Sequence, residues 1–136
     1  MKTYYVDANI FLRFLLNDHE SFSRQARRYL EKAQRGEVRL VLTTEIILEI
    51  NYVLRSVYSL ARQETAKKLQ VIVRTSYVDV LERDLLVEVL DKYERINVDL
   101  ADLILYEKAQ MAEAGVLSFD KADMKKIQAQ AVKKEM

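Results

Sequence analysis

The chain has 136 residues, half of them hydrophobic, with 22 Lys and Arg against 21 Asp and Glu and a formal net charge of +1. That length suits one domain spanning residues 1–136 around one core, and the balanced charge does not mark a strongly basic nucleic-acid binder. Cysteine is absent and His19 is the one histidine, which excludes disulfides, thiolate zinc centres, a cysteine nucleophile and multi-histidine metal sites.

TYYVDA is aromatic and β-branched and predicts a short strand, ending where Asp7 and Asn9 can cap a helix. IFLRFLLND continues as a short helix. This opening is interrupted by Asp7, Asn9 and Arg13 and has no basic segment followed by a continuous apolar one, so it does not read as a signal peptide. No apolar run approaches the roughly 18 residues of a membrane span. A cytoplasmic chain with no membrane partner is expected.

His19 reads as an exposed loop residue, and SFSRQARRYLEKAQRGE as a helix opened by a Ser cap and stopped at Gly36. VRLVL predicts a second strand and TTEIILEINYVLRSVYSL a long helix capped by Thr43 or Thr44. RQETAKKLQVIVRTS predicts a helix, YVDVL a third strand, and ERDLLVEVLDKYERIN another helix. DLADLILYEKAQMAEAG is helical up to Gly115, VLSFD predicts a fourth strand, and KADMKKIQAQAVKKEM a terminal helix. Strands alternating with helices argue for a parallel sheet covered on both faces. In such sheets ligands bind outside the carboxyl ends of the strands.

Four acids fall where that edge would gather them. Asp7 closes the first strand and Asp120 the fourth, while Glu49 and Asp102 come from helices. Alone, Asp7 and Asp120 read as helix caps. Asp99 can cap the helix that carries Asp102 in its first turn, three residues on and on the same helical side, and Asp123 follows Asp120 at the same spacing as a first-turn acid if the terminal helix begins there. Glu49 is harder to explain, because it borders the apolar stripe Ile46, Ile50, Val53, Leu54 and Val57. An ionised carboxylate there wants an arginine or a cation. Clustered carboxylates repel one another, and a cation removes that cost. Oxygen-only ligands select Mg²⁺ or Mn²⁺. Such ions activate water and stabilise charge on a phosphoryl group, so the implied chemistry is phosphodiester hydrolysis.

The same residues carry a resemblance that covers nearly the whole chain. YYVDANIFLRFLLND, EINYVL, DLADLIL and Ser118-Phe119-Asp120 resemble, in order, the four motifs of the PIN-domain ribonucleases, and within them the VapC-type toxins of toxin–antitoxin pairs. Ala8 stands where that family often has Thr. The EINYVL motif selects Glu49 over Glu45, which reads as a first-turn acid favoured by the helix dipole.

The resemblance implies a three-layer α/β/α fold with a short central parallel β-sheet. It implies a Mg²⁺- or Mn²⁺-dependent endoribonuclease that cuts RNA, with transfer and ribosomal RNA as candidate substrates. It also implies a homodimer inhibited by a cognate antitoxin that covers the active site. Asp7 and one or both of Asp102 and Asp120 would contact metal directly, and Glu49 would bind it through water or orient the groups that do. Asn9, Asp99, Ser118 and Asp123 are accessory candidates. Arg13, Lys121 and Lys125 are candidate contacts to RNA phosphates.

The arginines of the second helix, Arg24, Arg27, Arg28 and Arg35, read as solvated surface, and Tyr4, Tyr5, Tyr52, Tyr58 and Phe119 as core. Haloacid-dehalogenase chemistry needs a second Asp where Asn9 stands, and a phosphate-receiver domain needs adjacent acids after the first strand. The competing reading is a PIN-type module that binds RNA or protein without cutting.

Overall fold

The computed structural model describes residues 1–119, 122 and 124–128. Strand β1 (Lys2–Tyr5) leads into helices α1 (Ala8–Leu16) and α2 (Glu20–Gln34), and β2 (Val38–Leu42) into α3 (Thr44–Ser56) and α4 (Arg62–Val73). The short β3 (Asp79–Val80) precedes α5 (Arg83–Arg95) and α6 (Leu100–Met111), and residues 124–128 are again helical. The strands form one parallel sheet in the order β1-β2-β3, with Tyr4 opposite Leu40 and Leu42 opposite Val80. This is the expected α/β architecture of a short parallel sheet among helices, with β2 at its centre. Leu40, Val41 and Leu42 are all buried, as a strand covered on both faces requires.

Two helical groups pack around the sheet. Helix α2 lies on β2 and against α1, while α5 packs on both α4 and α6. Helix α3 joins the groups by touching α1, α4 and α6. Ile47, Ile50 and Leu54 recur at helical spacing on α3 and are fully buried, beside Leu69, Leu86, Leu90, Leu100 and Leu103. No helix among the described residues is long and apolar enough to cross a membrane.

Several local expectations change. Helix α2 is capped by His19, whose Nδ1 accepts the backbone N–H of Phe22 at 3.2 Å, so His19 is a cap and not a loop residue. The same helix does end at Gly36, whose φ of 75° is the left-handed value that glycine adopts at no steric cost. Helix α6 stops at Met111, before Gly115, because Glu113 turns the chain with a left-handed φ of 52°. Residues 116–119 form no strand, and Leu117 and Phe119 are fully exposed. Tyr4 is half-buried against the core and edge-on to Tyr29, while Tyr5 and Tyr52 are exposed.

Glu82 ties the sheet edge together. It follows β3 with a left-handed φ of 60°, a costly conformation for a residue with a Cβ. Its carboxylate accepts the Thr44 hydroxyl of α3 at 2.6 Å and pairs with Lys108 of α6 at 3.0 Å. The Thr44 hydroxyl first, and then Lys108, hold the Glu82 carboxyl below its ordinary 4.5. A carboxylate with a depressed folded pKa stabilises the fold above its unfolded pKa, and that stability is lost as pH falls through the folded value. Glu82→Gln therefore lowers stability at neutral pH, and its difference from wild type shrinks as pH falls below the ordinary 4.5 and through the depressed folded value. Urea unfolding of both proteins at a series of pH values reads this directly.

Candidate active site

The carboxyl ends of the parallel strands define one edge of the molecule. Asp7 leaves β1 there and caps α1, with Oδ1 accepting the N–H of Asn9 at 3.1 Å. The cap explains one of its oxygens and leaves the exposed side chain otherwise open to solvent. Asn9 is also exposed, in the first turn of α1.

Helix α3 leaves the adjacent end of β2, with Glu45 in its first turn and Glu49 one turn on. Both side chains are exposed, so Glu49 lies farther out than the border of the buried stripe. The difference between them is electrostatic. The helix N-terminus favours Glu45, whereas Glu49 is past the first turn and makes no ion pair or hydrogen bond among the described residues. Asp99 occupies the N-cap position of α6 without a side-chain cap bond, and Asp102 follows, half-buried, in the first turn. Contacts of α3 with α1 and α6 bring the three acid-bearing helices together.

Among the described residues, no three acidic or histidine side chains close into a metal centre. Asp120, Lys121 and Asp123 lie outside the described residues. Ser118 and Lys125 are exposed. The donor set of Asp7, Glu49 and Asp102 is oxygen alone, which fits a hard divalent cation and no soft one.

Arg13 is engaged elsewhere. Its Nη1 pairs with Asp18 at 2.6 Å, and the Tyr58 hydroxyl donates to the other oxygen of Asp18 at 2.9 Å. Tyr58 first, and then Arg13, hold the Asp18 carboxyl below its usual value. The trio ties the end of α1 to the segment after α3, and places Arg13 in a structural pair more than in a phosphate contact.

Beside these acids is a cleft of about 480 Å³ between α3, α4 and the start of α6, lined by Asn51, Tyr52, Arg55, Arg62 and Asp99 among others. The motifs did not single out this group. Asn51 was the available signal: it is a polar residue in helical register with Ile47 and Leu54, both fully buried.

A parallel α/β domain with acids at the carboxyl edge of its sheet belongs to the class whose sites are built on strand and helix termini. Residues 4–129 match the PIN domain family, and the chain is a member of it. PIN domains are in general nucleases and typically use divalent metal ions. No curated protein and no solved structure gives a significant match.

Proposed function

We propose that this protein is a divalent-metal-dependent endoribonuclease of the VapC toxin type, inhibited by a cognate antitoxin and acting as a homodimer. The observation that carries the reading is the placement of Asp7. It is an exposed carboxylate at the carboxyl end of β1, with one oxygen used by its cap. Glu49, on the helix that leaves the neighbouring strand, is exposed and has no cation beside it among the described residues. Family membership makes nuclease chemistry the simplest use of such a pair.

Asp7 and Asp102, with Asp120, would hold Mg²⁺ or Mn²⁺, and Glu49 would complete the set directly or through water. The bound cation supplies Lewis acidity and water activation for hydrolysis of the phosphodiester. The chain's own part is positional. The cap bond from Asn9 fixes the rotamer of Asp7, and the rigid first turn of α6 fixes Asp102. The substrate classes expected are transfer or ribosomal RNA.

The test uses purified, antitoxin-free protein on varied RNAs, with Mg²⁺, with Mn²⁺ and with chelator. Cleavage is expected only with metal, and Asp7→Asn should remove it while leaving the circular dichroism spectrum unchanged. Persistent binding of RNA with no cleavage under any metal would replace the enzyme reading with that of a binding module.

A further inference from the structure

The cleft between α3 and α6 contains a polar group that the fold does not satisfy. Asn51 is 8% exposed, and its Oδ1 is buried without a hydrogen-bond partner among the described residues. A buried, unpaired amide oxygen is costly, and native structures rarely keep one without a reason. A half-turn of the amide exchanges its oxygen and nitrogen ends, so Asn51 can present either an acceptor or a donor to the cleft it lines.

The walls supply complementary chemistry. Tyr52 is 67% exposed and stacks on no other aromatic ring among the described residues. Arg55 is anchored by one bond from Nη1 to the carbonyl of Leu60 at 2.8 Å. Arg62 is anchored by Nε to the carbonyl of Tyr93 at 3.0 Å and by Nη1 to Asn97 at 2.9 Å. Each guanidinium has five N–H donors, so both are fixed in place and still have donors to offer. Asp99, also in the lining, disfavours a phosphate beside it and favours N–H donors.

An open aromatic face, an amide edge and pre-positioned guanidiniums are the elements that bind single-stranded nucleic acid: stacking, base-edge bonds and phosphate contacts. A cleft of about 480 Å³ is ample for one nucleotide. We infer that this cleft is a nucleotide subsite for single-stranded RNA. The base stacks on Tyr52 with its donor-bearing edge toward Asn51 and Asp99, and Arg55 faces the phosphate. Because Asp99 opens the helix that carries Asp102, the subsite lies beside the acids and would seat a nucleotide flanking the cut. This inference rests on the ribonuclease reading, and its test is separable from that reading because it needs no catalysis.

The experiment measures fluorescence anisotropy of a labelled single-stranded RNA 12-mer with the full chain in EDTA, for wild type, Tyr52→Ala and Asn51→Leu. Loss of one stacking base should weaken binding about tenfold in Tyr52→Ala. Asn51→Leu should also bind more weakly, yet unfold at the same or a higher temperature than wild type, because it removes an unsatisfied buried group. Both variants binding RNA as tightly as wild type would overturn the subsite, even if wild type cleaves RNA with metal. Sedimentation showing that Tyr52→Ala breaks a dimer would also overturn it, by giving the cleft to a second copy of the chain. Absence of cleavage by wild type under all metals would count against the nuclease reading alone.

Discussion

Glu49→Gln is expected to reduce RNA cleavage by about 10–100-fold, the usual loss when a partner of a metal site is removed. Glu45→Gln is expected to leave the rate nearly unchanged. Both residues lie on exposed positions of α3, one turn apart. Glu45 is explained by the helix N-terminus, where a negative charge is favourable. Glu49 has no such explanation and no ionic partner among the described residues. Single-turnover cleavage by the two variants, at matched metal concentration, decides the matter. Equal losses would show that the pair acts as a unit and that Glu45 shares the role of Glu49.

The largest stability effect belongs to a different pair. Lys92 of α5 places Nζ 2.7 and 3.0 Å from the two oxygens of Glu107 of α6. The side chains are only 13% and 11% exposed. Glu88 stands 4.0 Å from the same Nζ but is half-exposed. Removing one partner strands a charge between the packed helices. Glu107→Leu should therefore destabilise the fold by about 3–5 kcal/mol. The double variant Lys92→Met with Glu107→Leu should recover most of that, because it removes both charges together. Urea unfolding of the four members of the cycle measures the coupling. A double variant as unstable as Glu107→Leu alone would show that packing, and not the stranded charge, sets the loss.

The sheet was legible in the sequence because its strands are unambiguous. VRLVL, apolar except for Arg39 and bounded by Gly36 and Thr43, becomes the central strand, with its last three residues buried. Asp7 was legible as a cap for a similar reason: a strand followed at once by a helix leaves free N–H groups that a carboxylate satisfies. What misled was local pattern without tertiary context. VLSFD alternates like a strand, yet residues 116–119 pair with nothing in the sheet. Glu49 borders an apolar stripe on paper but projects to solvent, because the core face of α3 is centred on Ile47, Ile50 and Leu54. Arg13 has a partner five residues away, Asp18, that only the left-handed turn at Asn17 brings back to it. Asn51 was hidden inside a motif read for its glutamate.

If these carboxylates hold the cation with which the chain cuts RNA, metal occupancy and RNA cleavage are one property of the protein. Titrating Mn²⁺ into metal-stripped protein, with bound metal followed by electron paramagnetic resonance and RNA cleavage followed in the same samples, tests it most directly. Binding and cleavage are expected to rise together, and Asp7→Asn to weaken both. Cleavage that proceeds before any metal is bound, or Mn²⁺ that binds equally well to Asp7→Asn, would contradict it.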